Sequence, residues 1–340
     1  MKTKNHPTKI FGMEIMESGY NPLVSILIPL YNHDRYITQC LDSILNDPYP
    51  AKEIIILDDG STDNSVQVVK EWYSKNREKI AGRFELKNQN NHGLCATLNK
   101  LVNLAKGDYI ALLASDDHLL PGGIQARVDY LEKHNDKMAV FGDCIVIDSN
   151  DKLIYKSGIE NLHHGRKKYL INDSLLGYEL IFHWCVPGPV FMAKRDTYKA
   201  IGLYDETLAV EDWDYYLRLV SQSALGFIDY PVAAYRHHET NMVRVWSRSD
   251  WIRWPLDTLT KNIDRFTGLK KVYLMANKIR KTGEQYSYDG KVSIGIIYRL
   301  WAKISEKSLE TLYETMVILQ VKFNIHLLRG VLGLISSHLQ

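Results

Sequence analysis

The stretch EIIILDDGSTD, at positions 53–63, decides the fold predicted for this chain of 340 residues. A continuous apolar run precedes its two adjacent carboxylates, and a second run, YIALLAS at 109–115, precedes the pair Asp116-Asp117. Such runs are typical of strands buried on both faces of a parallel sheet. Because open α/β sheets bind ligands beyond the carboxyl ends of their strands, both acidic pairs should border one crevice. A divalent cation, with hydrogen-bond donors from a ligand, would offset their repulsion.

Strand and helix patterns alternate from residue 23 to about residue 135, which indicates βαβ units and a parallel sheet. The predicted strands lie at 24–28, 53–57, 83–86, 109–113, 138–147, 152–155, 190–193 and 224–229. The predicted helices lie at 36–45, 63–73, 94–104, 121–134 and 211–221, and a mobile loop is expected at 157–172. Helical patterns dominate from about 247, ending in an amphipathic stretch at 308–339. We expect a polar N-terminal segment at 1–22, an α/β domain at 23–245 and a helical region at 246–340.

Composition excludes several classes of protein. A net charge of +2 gives no reason to expect nucleic acid as a partner. The four cysteines form no C-x-x-C pair, so we interpret them as buried free thiols in a reducing compartment. The N-terminus has no apolar stretch long enough for a signal peptide, and no window reaches ~20 uninterrupted apolar residues. We expect a cytoplasmic protein, and the C-terminal helices leave peripheral membrane contact or a homodimer open as alternatives.

Polar turns follow the first two predicted strands. At 29–32 the sequence PLYN ends a strand, since proline cannot donate a hydrogen bond to a sheet. After the next strand, Asp58 and Asp59 could accept hydrogen bonds from a base or from ribose hydroxyls, and Gly60 permits a tight turn. The alternative is a helix-capping turn built on Asp63.

Four motifs occur in order: PLYN at 29–32, DDGSTD at 58–63, N-x-G at 91–93 followed by Asn99, and KGDYI at 106–110. This set resembles glycosyltransferase family 2, whose members have the GT-A fold, over roughly residues 22–245. The resemblance implies a Rossmann-like mixed α/β sheet flanked by helices, with a helical C-terminal extension. It also implies a nucleotide-sugar pocket in which Asp59 contacts the base. The residues implied for this pocket are Pro29, Tyr31, Asp58, Asp59, Gly93 and Asn99.

The segment ASDD at 114–117 matches the Asp-x-Asp region of the family, which usually holds a divalent metal against the diphosphate. By this resemblance Asp117 binds the metal, and Asp116 contacts the ribose or the metal. Carboxylate oxygens suit Mg²⁺ or Mn²⁺, which would act as a Lewis acid toward the leaving nucleoside diphosphate. Ala114 stands where the family often has a first Asp, so the site is one carboxylate short of the usual pattern. A capped turn is the structural alternative.

The acidic pair Glu211-Asp212 begins the predicted helix at 211–221. The helix dipole favours acids at this position, which is a purely structural explanation. The resemblance instead makes Asp212 the general base on the acceptor hydroxyl, with Glu211 in reserve. Chemistry needs such a group because a sugar hydroxyl is a poor nucleophile until its proton is removed. Asp214 and Arg218 form an i, i+4 pair that we expect on the outer face of the helix.

Further residues carry chemistry by the same resemblance. In YRHHETN at 235–241, His238 would complete the metal shell or touch the diphosphate, and Arg236 would pair with phosphate. Gly188 belongs to an acceptor-side loop. Trp184 could stack on an acceptor sugar, although core packing explains it equally well. The basic run at 163–168 could close over phosphate or form a solvated loop.

Together these features predict an inverting enzyme that transfers a sugar from a nucleotide-sugar donor, most simply a UDP-sugar, to a hydroxyl of a glycan or a lipid-linked acceptor. Two alternatives stay open. A sugar-phosphate nucleotidyltransferase would usually have a Gly-rich basic loop after the first strand, where this chain has PLYN. An inactive nucleotide-sugar-binding scaffold is favoured only by Ala114 and disfavoured by Asp212.

Overall fold

The computed structural model describes residues 9–10, 13–14, 21–239, 241, 247–291 and 294–295. Within these ranges the centre of the protein is a nine-stranded mixed sheet. Its strands are β3 (Val24–Leu30), β4 (Lys52–Asp58), β5 (Phe84–Asn88), β6 (Tyr109–Leu112), β7 (His118–Leu119), β8 (Ala139–Ile147), β9 (Leu153–Tyr155), β10 (Phe191–Lys194) and β11 (Leu225–Arg236). Two short strands, β1 (Lys9–Ile10) and β2 (Met13–Glu14), pair only with each other. The amphipathic stretch predicted at 308–339 lies outside the described residues.

The sheet has the strand order β5-β4-β3-β6-β10-β8-β11-β7, and β9 pairs with β8. Strands β5, β4, β3 and β6 are parallel, as the alternating pattern predicted. Strand β10 runs antiparallel to β6 and β8, which makes the sheet mixed. The carboxyl ends of β3, β4 and β6 therefore meet at one edge. Asp58 ends β4 and Asp59 follows it, and the pair Asp116-Asp117 comes after β6 at this edge.

Helices cover both faces of the sheet. They are α1 (Ile37–Asn46), α2 (Ser65–Asn76), α3 (Leu94–Leu104), α4 (Gly123–Lys133), α5 (Lys167–Leu170), α6 (Asp173–Phe182), α7 (Thr197–Ala200), α8 (Glu211–Ser221), α9 (Asp250–Asn262) and α10 (Gly268–Tyr288). Successive residues of β3 enter opposite cores, with Leu27 in one apolar cluster and Ile26 and Ile28 in the other. This two-sided burial explains the continuous apolar runs in the sequence.

The segment at 157–172, expected as a mobile loop, is helical and anchored in the core. It contains a π-helical turn (Gly158–Leu162) and α5. The buried carboxylate of Asp143 accepts hydrogen bonds from Ser157 Oγ at 2.6 Å and from the backbone N–H of Ile159 at 3.1 Å. The same carboxylate pairs with Lys167 Nζ at 2.7 Å. The expectation was wrong because its polar residues bind a distant buried carboxylate rather than water.

Helices α9 and α10 pack directly on the sheet-containing part. Asn262 Nδ2 donates to Asp214 Oδ1 at 2.8 Å, and Asn277 Nδ2 donates to the carbonyl of Ile181 at 2.9 Å. Trp254 packs against the core, whereas Trp251 is 47% exposed. In the part of the chain that the structure describes, no helix combines the length and apolar character needed to cross a membrane. The domain boundary expected near residue 245 stays a prediction.

Candidate active site

The turns that follow β3 and β4 are joined into one unit. Asn32 adopts a positive φ of 53°, a conformation that Asn tolerates better than most residues. Its Oδ1 accepts a hydrogen bond from the Thr62 N–H at 2.7 Å, and its own N–H donates to Ser61 Oγ at 2.9 Å. Beside this junction, Pro29 is half-buried and Tyr31 is 46% exposed. Pro29 and Tyr31, two of the residues expected in the nucleotide pocket, therefore lie at the crevice edge of the sheet.

The first acidic pair is buried and organises the next loop. Asp59 Oδ1 accepts hydrogen bonds from Gln89 Nε2 and the His92 N–H, both at 2.8 Å. Its Oδ2 accepts from the Gly93 N–H at 2.9 Å. Asp58 accepts from the Ser61 N–H at 3.2 Å. A carboxylate has about four lone-pair sites, so both groups keep acceptor capacity for a ligand.

Gly93 lies at the start of α3 with a φ of 85°, which L residues with side chains rarely adopt. A Cβ atom there would meet no atom within 4 Å. The glycine is therefore required by the backbone, not by crowding, and it leaves open space next to Asp59.

Asn99 is buried and is held by the loop that precedes α8. Its Oδ1 accepts from the Tyr204 N–H at 2.9 Å, and its Nδ2 donates to the Tyr204 carbonyl at 3.0 Å and to Glu206 Oε1 at 2.9 Å. Both ends of the amide are thus engaged by the loop that precedes α8. These contacts fix the position of the amide, and the place expected for Asn99 beside the ribose and base stays a prediction.

Two histidines flank Asp116 at the end of β6. Asp116 Oδ2 lies 2.9 Å from His238 Nε2 and 3.8 Å from His33 Nε2. One ligand atom from each residue lies within 4.8 Å of the others. We call these three residues the histidine–aspartate cluster. Burial favours a neutral Asp116, but the His238 hydrogen bond and the two histidines lower the pKa of this carboxyl. Carboxylate and imidazole together suit a divalent transition metal.

Asp117, expected as the metal ligand, lies outside the histidine–aspartate cluster. It is 1% exposed, and its Oδ1 accepts a hydrogen bond from the Arg236 N–H at 2.7 Å. Burial and the negative charge of Asp116 hold the pKa of Asp117 well above its usual range. The adjacent acids therefore differ: one faces the imidazoles, and the other holds the end of β11.

The guanidinium of Arg236 is buried and engaged by the protein. Its Nε donates to the Asp116 carbonyl at 2.8 Å, and its Nη2 donates to Gln39 Oε1 at 2.7 Å. Its Nη1 lies 3.1 Å from the Asp148 carbonyl and 2.7 Å from Asp151 Oδ1. Arg236 therefore connects the segment after β6 to α1 and to the β8–β9 turn, and its expected pairing with phosphate stays a prediction. Sequence reasoning missed this connection because the partners come from three separate segments.

The second acidic centre begins α8. Glu211 and Asp212 keep partial exposure. Burial raises the pKa of Asp212 to about 6, and burial with the charge of Asp212 raises that of Glu211 to about 8. The Trp213 N–H donates to Asp212 Oδ1 at 2.6 Å. A carboxyl with a pKa near neutrality can accept a proton during a reaction at physiological pH.

The rest of α8 corrects one expectation. Asp214 and Arg218 do form an ion pair, with 3.0 Å between Oδ2 and Nε. Both are buried rather than on an outer face, because α9 covers this side of the helix and Asn262 bonds to Asp214.

Trp184 packs near the start of α8, and Gly188 lies four residues further along the chain. The Trp184 ring stacks on Trp213 at 6.1 Å between centroids and meets Tyr216 edge-on at 5.1 Å. It is partly exposed, so packing accounts for one face and solvent reaches another. Gly188 is exposed and begins a 3₁₀ turn (Gly188–Val190).

The basic run at 163–168 is largely paired. Arg166 Nη2 bonds to the buried Glu179 at 2.7 Å, and Lys167 binds Asp143 and Asp229, each at 2.7 Å. Closure of these side chains over phosphate would break both arrangements, so their structural role is favoured.

Comparison with known proteins identifies the class of enzyme. Residues 25–193 match the family model "Glycosyl transferase family 2". An uncharacterized glycosyltransferase of Methanocaldococcus jannaschii is 26% identical over 251 residues, covering 72% of this chain and 82% of that protein. The Escherichia coli chondroitin synthase is 36% identical over 133 residues, which is 39% of this chain but only 19% of the synthase.

Solved structures share the fold. Staphylococcus aureus TarS residues 1–349, in complex with UDP-GlcNAc, align with a TM-score of 0.58 at 17% identity, covering 78% of this chain and 73% of that one. The mannosyltransferase PcManGT of Pyrobaculum calidifontis, in complex with GDP-Man and Mn²⁺, aligns with a TM-score of 0.57 at 15% identity, covering 94% and 87%. The fold is therefore GT-A, as the sequence predicted. The chain belongs to glycosyltransferase family 2 and is a glycosyl-transferring enzyme.

Proposed function

We propose that this enzyme inverts the anomeric centre of a nucleoside-diphosphate sugar as it transfers that sugar to an acceptor hydroxyl, with Asp212 as the general base. The observation that carries the proposal is the position of Asp212, partly exposed at the start of α8, where burial raises the pKa of its carboxyl to about 6. At neutral pH this carboxylate is ionised yet basic enough to take a proton. Glu211, with a pKa of about 8, remains largely protonated beside it.

The reaction balances in one displacement. The acceptor oxygen attacks the anomeric carbon while the bond from that carbon to the diphosphate oxygen breaks, through a transition state with oxocarbenium character. The acceptor proton passes to Asp212, and the bonding electron pair leaves with the nucleoside diphosphate. A single attack from the face opposite the leaving group inverts the configuration.

The crevice edge supports a nucleotide site. Asp58 and Asp59 retain acceptor capacity there, Tyr31 is exposed, and Gly93 leaves space beside them. We propose UDP as the nucleotide because TarS, which has this fold, binds UDP and UDP-GlcNAc. PcManGT, of the same fold, holds GDP-Man, so GDP-sugars are the first competitor to test.

The histidine–aspartate cluster fits a divalent metal, Mn²⁺ or Mg²⁺. Asp116 and His238 would hold it, which transfers the role expected of Asp117 to its neighbour. The solved structure of PcManGT contains Mn²⁺, which supports this assignment. When bound, such an ion offsets the charge that develops on the leaving diphosphate.

We propose an acceptor that is part of a growing polysaccharide, because relatives include chondroitin synthase and the Pasteurella multocida hyaluronan synthase. Trp184, partly exposed beside α8, and the exposed Gly188 would contact it. The free cysteines support a reducing, cytoplasmic location. Membrane contact and dimerisation through the C-terminal helices stay predictions.

The test is a panel of UDP- and GDP-sugars with Mn²⁺, scored by nucleoside diphosphate release and by the anomeric configuration of the product. Asp212→Asn should lose turnover while still binding UDP. The control is Asp257→Asn, whose side chain is 52% exposed on α9. A wild type that binds UDP but turns over no donor would indicate the scaffold alternative. Pyrophosphate release from a nucleoside triphosphate and a sugar 1-phosphate would indicate nucleotidyl transfer.

A further inference from the structure

His33 has the position and orientation of a metal ligand, although no sequence motif marked it. Its Nε2 lies 3.8 Å from Asp116 Oδ2, and the ligand atoms of His33, Asp116 and His238 all lie within 4.8 Å of one another. Metal–ligand bonds of ~2.1 Å place the ligand atoms of one ion about 3.0–4.2 Å apart. The three side chains therefore need only small rotations to share one ion.

The His33 ring is held from its far side. Nδ1 lies 2.7 Å from Ser115 Oγ, and the backbone N–H of His33 donates to Ser65 Oγ at 2.9 Å. With the proton on Nδ1 and Ser115 accepting, the Nε2 lone pair is directed at Asp116. Metal-binding histidines usually have such a partner on their other nitrogen, because it sets the tautomer and the ring orientation. The side chain is 22% exposed, so the position is accessible from solvent.

We propose that His33 supplies the third protein ligand of the metal, so that the site uses two imidazoles and one carboxylate. The inference rests on the metal-dependent transfer proposed above and specifies its ligand set. His33 would compensate for Ala114, which stands where the Asp-x-Asp pattern often has a further carboxylate. The exchange of a carboxylate for a neutral imidazole leaves the bound ion with one more positive charge to offset the diphosphate.

The ligand set determines which metal is preferred. Mg²⁺ favours oxygen ligands and keeps several waters, whereas the affinity of a mixed nitrogen and oxygen site rises along the transition-metal series from Mn²⁺ to Co²⁺. We therefore expect the wild-type site to prefer Mn²⁺ or Co²⁺ over Mg²⁺. Replacing His33 with Asp should restore an oxygen-rich site and shift the preference toward Mg²⁺.

The experiment titrates the full-length protein with Mn²⁺ alone and follows free Mn²⁺ by electron paramagnetic resonance. Loss of one ligand in His33→Ala should weaken Mn²⁺ affinity by about 10- to 100-fold. Electron spin echo modulation should detect two imidazole nitrogens on bound Mn²⁺ in the wild type and one in His33→Ala. His134→Ala, in which the lost imidazole lies beyond the end of α4, should leave both readouts unchanged. Circular dichroism of each variant would check that it folds like the wild type.

The outcomes separate this inference from the proposed function. If His33→Ala binds Mn²⁺ as tightly as the wild type, and both proteins show a single imidazole on the bound ion, His33 is not a ligand. Metal-dependent transfer would then still stand, with His238 as the imidazole ligand. Sugar transfer that persists at full rate in EDTA, with no Mn²⁺ bound to the wild type, would overturn both. A Mn²⁺/Mg²⁺ preference that rises in His33→Asp would also contradict the proposal.

Discussion

Two acidic centres of this enzyme have the same kind of side chain and opposite surroundings. Asp116, after β6, has His33 and His238 within 3.8 Å, and its pKa is lowered despite burial. Asp212, at the start of α8, is subject mainly to burial, which raises its pKa to about 6. The nitrogen-rich centre stabilises a carboxylate that can hold a cation. The centre without such partners stabilises a carboxyl group that can take up a proton.

The largest expected effect comes from the proton-accepting centre. Asp212→Asn should lower kcat by about 10²- to 10⁴-fold because the acceptor hydroxyl loses its base. The loss should be independent of Mn²⁺ concentration, which steady-state kinetics at several metal concentrations would check. Recovery at high Mn²⁺ would mean that Asp212 belongs to the metal-binding centre instead.

Asp116→Asn should have the next largest effect, and this effect should be on the Mn²⁺ requirement rather than on kcat at saturating metal. It removes the only carboxylate of the histidine–aspartate cluster, so the Mn²⁺ concentration for half-maximal activity should rise by at least about 100-fold. Excess Mn²⁺ should restore part of the rate. A Mn²⁺ requirement that stays at the wild-type value would contradict the assignment of the ion to Asp116.

Arg236→Lys distinguishes a structural tie from a phosphate ligand. Lysine cannot reproduce the fork of contacts to Asp116, Gln39 and Asp151, so we expect unfolding free energy to fall by about 2–4 kcal/mol. Thermal denaturation measures this loss. The role expected from sequence would instead raise the KM for UDP-sugar and leave the melting temperature unchanged.

The pH dependence of transfer should show the base directly. Asp212 accepts a proton only when ionised, so kcat/KM should rise about tenfold per pH unit below about 6 and level off above it. Rates between pH 4.5 and 7.5 at saturating Mn²⁺ would show this limb. A limb at or below pH 4 would mean that burial does not act on Asp212 as described.

The smallest effect concerns stability at the same centre. Glu211 has an ordinary pKa of 4.5 when unfolded and about 8 when folded, so the folded state binds the proton more tightly. Stability from this group is present below pH 4.5 and is lost as pH rises toward 8. Glu211→Gln does not titrate and should melt higher than wild type at pH 8, by several degrees once solvent screening of this partly exposed group is allowed for.

Measured near pH 4.5, the two proteins should melt together. The exposed Glu160, changed to Gln, is the control and should show no such pH-dependent difference. If Glu211→Gln and the wild type melt at the same temperature across the whole pH range, burial does not raise the pKa of Glu211.

Much of the fold could be predicted because local signals were strong. The bounds of α3 and α8 agree with the predicted helices at 94–104 and 211–221, and the apolar runs became β3, β4 and β6. Strand β11 was predicted to end at 229 but continues to Arg236, past Pro231, through two register shifts against β8. Neither the bulge nor the anchoring of 157–172 has a local signal, since both depend on distant partners.

The sequence by itself determined the family, the parallel half of the sheet and the strand ends at which both Asp-Asp pairs lie. Apolar runs, glycines and acids at short spacing carry that information locally. Only the tertiary structure decided which acid does what. His33 and His238 lie near opposite ends of the domain sequence, yet both contact Asp116. The neighbouring Asp117 instead accepts a hydrogen bond from the Arg236 N–H. A carboxylate's role follows from the charges and burial around it, and those are set by contacts between residues far apart in the chain.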